Sequence, residues 1–198
     1  FADYCFDFHT GGAQRFNASQ IRIAPNNEGL ELLARTFGAP FTVYSSTIEK
    51  SYRGACQKMG IPVLLFEGGK SLESNKYIVK DGVDGVKRVL SHLEMLDHNI
   101  MVPEVKAPPV IISKSRWVRA HKSGLLHVKI DCNKHVQKGE FLATITDPYG
   151  KMRIKVTAPN EGYIINVNQA PIVNQGDAIF HLSTVSTTEI LNDQESED

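Results

Sequence analysis

Asp7, His9 and Glu67 are the side chains of this sequence best suited to chemistry. Asp7-Phe8-His9 closes a short aromatic run. Side chains alternate along a strand, so residues two apart share a side. An imidazole placed there, with a carboxylate holding its ring, is a candidate metal ligand in a fixed tautomer. The same Asp-x-His spacing also describes a plain hydrogen-bonded pair at a strand end. Glu67 follows the apolar run Ile61–Phe66. A carboxylate in that position is costly to bury unless it is paired or used. Beside a metal it can act as general base on water; the competing reading is an ion pair with Arg53 or Arg22.

The elements that must position these groups alternate between strand and helix. Tyr4 to Phe8 reads as a strand ending in a loop at His9-Thr10-Gly11-Gly12. Leu30, Leu33, Ala34 and Phe37 follow helical spacing, with Asn26 or Asn27 as N-cap and Gly38 as stop. Phe41 to Tyr44 is a second short strand, and Tyr52, Ala55, Cys56 and Met59 mark another helical face. Ile61 to Phe66 reads as a strand covered on both faces, ending at Glu67-Gly68-Gly69. Val79, Val83, Val86, Leu90, Leu93 and Leu96 predict an amphipathic helix from about Asn75 to Leu96, despite Gly82 and Gly85. Strands alternating with helices imply an α/β sheet. In such sheets ligands gather at the carboxyl ends of strands, where His9 and Glu67 fall.

Residues 103–110, with Pro103, Pro108 and Pro109, read as a linker. Beyond it the helical period disappears and a repeat replaces it. Gly124-Leu-Leu-His-Val and, further on, Lys138-Gly139-Glu-Phe-Leu resemble Gly162-Tyr-Ile-Ile-Asn and Gln175-Gly176-Asp-Ala-Ile. Two copies of a strand-turn-strand unit predict a small all-β barrel or sandwich over residues 111–185. Residues 1–102 form the α/β part, and the acidic residues 186–198 are expected to be a disordered tail.

The order of motifs resembles the succinylglutamate desuccinylase and aspartoacylase family. Asp7-Phe-His9-Thr10 is followed by Gly12, Asn17 and Arg22, by Ser51-Tyr-Arg53-Gly-Ala, and by Gly60-Ile-Pro-Val-Leu-Leu-Phe-Glu67-Gly-Gly. The resemblance covers nearly all of residues 1–185. It implies a partial zinc-carboxypeptidase-like mixed sheet with flanking helices, closed by the small β domain. It also implies zinc-dependent hydrolysis of an amide in an N-acylated amino acid or similar small molecule. Carried over by position, His9 is a zinc ligand, Asp7 its support, Glu67 the general base, and Arg53 and Arg22 substrate contacts. The family's other two zinc ligands come from a His-x-x-Glu motif, and its oxyanion arginine also lies upstream of Asp-x-His. No such motif precedes Asp7. A catalytic zinc needs about three protein ligands and an open position. The chain alone therefore also fits a non-catalytic fragment or binding module.

Composition narrows the alternatives. The chain has 198 residues, 41% of them apolar, and its 22 Lys/Arg balance 22 Asp/Glu. A nucleic-acid-binding domain would carry a basic excess. The balance is uneven, because residues 106–185 carry 11 basic against 5 acidic side chains. Cys5, Cys56 and Cys132 are odd in number and widely spaced, which predicts reduced thiols in a cytoplasmic protein. No apolar run reaches the ~20 residues of a membrane span. Phe1 opens directly into strand-like sequence without a signal peptide, which predicts a piece of a longer protein. The expected partner is a small amide, with no nucleic acid or membrane, and the sequence leaves room for a homo-oligomer.

Overall fold

Three polar side chains start the three helices of the computed structural model, which describes residues 2–188. Asn27 accepts from the Leu30 amide at the start of α1 (Glu28–Phe37), and Ser51 from the Gly54 amide at the start of α2 (Tyr52–Lys58). Asn75 accepts from the Tyr77 and Ile78 amides at the start of α3 (Lys76–His92). Each satisfies donors that the first helical turn leaves open. Gly38 ends α1 in the left-handed region, at φ 70°.

The helices accompany four strands: β1 (Cys5–Gly11), β2 (Arg15–Ile23), β3 (Phe41–Tyr44) and β4 (Val63–Lys70). β1 runs parallel to β4, β4 antiparallel to β2, and β2 parallel to β3. β1 forms one edge of this sheet. The predicted face of α1 is buried, and Leu30, Leu33, Ala34 and Phe37 pack with Ile21, Ile23, Leu64, Phe66 and Val89. α1 and α3 thus cover one face of the sheet. Where they touch, Gly85 of α3 lies against the Phe37 ring so closely that a Cβ would come within 2.3 Å of it.

Three expectations change. β1 does not stop at Phe8 but continues through His9 and Thr10, because its backbone stays paired with β4 as far as Gly11 opposite Lys70. β4 likewise runs beyond Glu67 through both glycines. Glycine there answers close packing, since a Cβ on Gly68 would meet Ile78 at 2.6 Å. α3 ends at His92 and not near Leu96, for Glu94 turns to a positive φ of 56°. The apolar stripe of α3 is also only partly covered. Val89 is buried, but Val79 and Val83 are half exposed. With Phe8, Phe66 and Ile78 they line an open groove of about 450 Å³ beside the edge strand.

The second half is entirely strand and turn: β5 (Val110–Arg119), β6 (Gly124–Val128), β7 (His135–Val136), β8 (Phe141–Thr146), β9 (Arg153–Thr157), β10 (Gly162–Asn168), β11 (Ile172–Val173) and β12 (Ala178–Thr188). The short strand of each repeat copy pairs with the long strand of the other, β11 with β6 and β7 with β10. A core of Val136, Leu142, Ile145, Ile164, Val173, Ile179, Phe180 and Leu182 fills the interior. β12 runs to Thr188, three residues into the stretch expected to be an acidic tail. Residues 189–198 lie outside the described residues.

This half is stitched to the first by backbone. β5 adds parallel to β3, and β10 pairs antiparallel with the start of β2. Strands β2, β3, β5, β12 and β10 therefore close into a hydrogen-bonded circuit. At its seam Ala18, Phe41, Val43, Ile112 and Ile165 make a small core of their own.

Candidate functional site

His9 and Glu67 are directly opposed on the neighbouring parallel strands β1 and β4. Opposed residues share a face, and the backbones are about 4.8 Å apart. Phe6, Phe8 and Phe66 take the other face, where Phe6 and Phe66 pack on Phe37 and Phe8 packs on Phe66. The alternation of β1 therefore sends aromatic side chains to α1 and α3 and sends Asp7 and His9 to the opposite side. α2 lies on that opposite side, with Tyr52 Oη 3.2 Å from Cys5 Sγ.

Asp7 Oδ1 lies 3.0 Å from His9 Nε2. The carboxylate fixes the ring, and the His9 side chain remains 47% exposed, open to a ligand. Glu67 is more enclosed, its side chain 18% exposed. Arg22 Nε sits 3.1 Å from Glu67 Oε2. Its N–H is not aligned on that oxygen, so the contact is ionic and not a directed hydrogen bond. The directed donor is Asn17, whose Nδ2 reaches the same oxygen at 3.3 Å. Asn17 is opposite Gly69 while Gln20 is opposite Glu67, so β2 spends three steps where β4 spends two. This β-bulge turns Asn17 toward the carboxylate.

Arg53 on α2 donates from Nη1 to Ser45 Oγ at 3.1 Å and from Nη2 to the Ser45 and Ser46 carbonyls at 3.3 and 2.9 Å. Its pKa is lowered, first by burial and then by repulsion from Arg22, with Glu67 and Asp7 pulling the other way. The five residues singled out from sequence thus occupy one electrostatic neighbourhood. Asp7 and His9 touch, Arg22 and Glu67 touch, and Arg53 sees all but His9 through its field.

Sequence reasoning did not mark the polar groups that surround them. Gln20, directly opposite Glu67, is fully buried with neither amide atom paired. Asn166 and His181 come from β10 and β12. His181 stacks on Trp117 with ring centres 4.4 Å apart, and its pKa falls to about 4, mainly through burial and further through Arg22. For Gln20 the signal was the closeness of Asn17, Ser19 and Gln20 inside one strand, of which the motif order takes up only Asn17.

As a place for a metal, the site fits in part. An imidazole held by a carboxylate is the usual arrangement of a ligand histidine. A catalytic zinc takes about three protein ligands. No group of three or more His, Cys, Asp or Glu side chains among the described residues is arranged to hold a metal.

No family model matches the chain, and no curated protein sequence matches it significantly. Solved structures do match. The apo ectoine utilization protein EutE (DoeB) from Ruegeria pomeroyi aligns at 22% identity and TM-score 0.79, over 93% of this chain and 61% of that one. A succinylglutamate desuccinylase from Silicibacter sp. TM1040 aligns at 21% identity and TM-score 0.76, over 95% and 59%. A succinylglutamate desuccinylase/aspartoacylase from Rhodobacter sphaeroides aligns at 20% identity and TM-score 0.77, over 96% and 59%. The chain shares the fold of these proteins and spans about three fifths of their length.

Proposed function

We propose that this chain is part of a zinc-dependent amide hydrolase of the succinylglutamate desuccinylase and aspartoacylase family, built on a zinc-carboxypeptidase-like sheet and acting on an N-acylated amino acid. The observation that carries the reading is the direct opposition of His9 and Glu67 on one face at the carboxyl ends of two parallel strands. The fold shared with desuccinylase and aspartoacylase structures supports it.

In this reading His9 holds zinc, its ring oriented by Asp7, together with ligands contributed by residues beyond this chain. Zinc, when bound, polarises an amide carbonyl and makes water a better acid. Glu67 takes the proton from the attacking water and returns it to the departing amine nitrogen. Asn17 and Arg22 both engage Oε2 of Glu67, which leaves Oε1 to meet the water. Arg53, anchored on Ser45 Oγ and on the Ser45 and Ser46 carbonyls, offers a substrate carboxylate its remaining Nε and Nη1 hydrogens and its charge. Preceding residues of the whole protein would cover the groove formed by Phe8, Val79 and Val83 and pair with the open edge of β1.

The test is metal analysis and hydrolysis of N-acetyl and N-succinyl amino acids by the full-length protein. Glu67→Gln should keep zinc and lose turnover by roughly 10²-fold or more. His9→Ala should lower zinc stoichiometry. Full turnover in Glu67→Gln, or a full-length protein that takes up no zinc, would refute the reading.

A further inference from the structure

Asn166 interrupts the buried apolar stretch Ile164–Val167 of β10. Its neighbours Ile164, Ile165 and Val167 are buried, and Asn166 itself is 3% exposed. A carboxamide in such a place is costly unless its hydrogen bonds are made. In the first copy of the repeat the corresponding position, 38 residues earlier, is Val128, which packs against the β-domain core. The copies differ in one relevant way, for the strand of Asn166 pairs with β2.

Across that seam Asn166 is directly opposite Asn17, and its Nδ2 donates to Asn17 Oδ1 at 2.6 Å. Asn17 Nδ2 then donates to Glu67 Oε2 at 3.3 Å. The polarity of this relay is forced. A carboxylate only accepts, so Asn17 must present its amide nitrogen to Glu67 and its oxygen to the other side. Turned over, Asn17 would set an oxygen against the carboxylate. The donor from Asn166 satisfies the oxygen that this orientation turns away from Glu67 and so reinforces it, while Asn166's own Oδ1 is left without a hydrogen-bond partner.

We propose that Asn166 is a positioning residue for Glu67, acting through Asn17, so that the C-terminal β segment sets the aim of the carboxylate from across the β2–β10 seam. The inference rests on Glu67 as the proton carrier. Asn166 is buried and reaches Glu67 only through Asn17, so its loss should lower kcat and leave KM nearly unchanged.

The experiment compares Asn166→Leu, Glu67→Gln and the double variant in the zinc-loaded full-length protein, with hydrolysis of N-acetyl and N-succinyl amino acids as readout. Asn166→Leu should lower kcat about tenfold with KM within about twofold, keep its zinc, and cause no further loss in the Glu67→Gln background. An equal loss in both backgrounds, or a loss confined to KM, would overturn the assignment. A second readout does not depend on turnover. With asparagine side chains labelled by ¹⁵N, the Asn17 carboxamide protons should exchange slowly in the wild type and fast in Asn166→Leu; unchanged exchange would overturn the relay. If the wild type hydrolyses none of these amides, the deacylase reading falls, and the exchange result alone decides whether Asn166 orients the Asn17–Glu67 pair.

Discussion

Acidification should weaken this fold through His181 before it reaches the range where most carboxylates titrate. His181 is 9% exposed and its pKa is lowered to about 4, chiefly by burial and then by Arg22. In the unfolded chain it titrates near 6.5. Between these values the unfolded state binds the proton and the folded state does not, so stability rises with pH across that window. His181 therefore contributes fully above about pH 6.5, and its contribution drains away as pH falls toward 4. A gap of about 2.5 units corresponds to about 3 kcal/mol, a large part of the 5–15 kcal/mol that holds an ordinary domain together.

The perturbation is His181→Phe, which keeps an aromatic ring against Trp117 and removes the titration. Urea unfolding at pH 7 and pH 4.5 gives the measure. The wild type should lose about 2–3 kcal/mol more than the variant between the two, while carboxylate contributions common to both cancel. Trp117 is the only tryptophan of the chain and lies stacked at 4.4 Å, so its fluorescence reports this imidazole directly. Quenching by the protonated ring should have its midpoint near pH 4 in the folded protein. A midpoint near 6.5, or equal losses in the two proteins, would refute the argument that burial and Arg22 hold this ring neutral.

Two other substitutions test the frame and the site. Gly85→Ala gains about 1 kcal/mol of helix propensity but sets a methyl within 2.3–2.4 Å of the Phe37 ring, so urea unfolding should show a net loss of about 1–3 kcal/mol. A more stable variant would mean that α1 and α3 do not meet there as described. Arg53→Lys keeps the charge but not the planar fork that bonds Ser45 and Ser46, so under the proposed function the KM of the full-length protein for carboxylate-bearing amides should rise with kcat less affected. An unchanged KM would remove Arg53 from substrate binding.

The elements that bury a single apolar face were readable from sequence. α1 and β3 fall where the periodicity of Leu30, Leu33, Ala34 and Phe37 and the run Phe41–Tyr44 put them. β2 was not readable, and the reason is physical. Both of its faces carry polar residues in use. Asn17 reaches Glu67 on one side, while Ser19 Oγ donates to Asp81 Oδ2 on α3 at 2.6 Å on the other. With Gln20 buried as well, the apolar alternation that marks a strand survives only in Ile21-Arg22-Ile23, too short to read as an element. The glycines misled in a related way. Gly11 and Gly68 look like turn residues, yet they sit inside strands because a Cβ would collide with Arg15 and Ile78. Long-range closure, such as Asn166 meeting Asn17 across 149 positions, leaves no local trace at all.

The same facts turn illegibility into a signal. A strand at a sheet's centre loses its period when site chemistry occupies it, since each buried polar side chain there must have a partner or a task. The unreadable stretch here, residues 15–23, lies between His9 and Glu67 in the order of motifs and beside Glu67 in space. β2 is also the one strand that pairs with β3 and β4 on the α/β side and with β10 on the other. The segment whose pattern fails is thus the one through which the two halves of the chain meet at the carboxylate. An Asn at position 17 or 166 would have no reason to be buried if the halves were independent. On this argument the C-terminal strands are part of the site's frame: a chain cut in the 103–110 stretch should stay assembled through the β3–β5 and β2–β10 pairings and co-elute as two fragments on gel filtration, and fragments that separate would refute the seam.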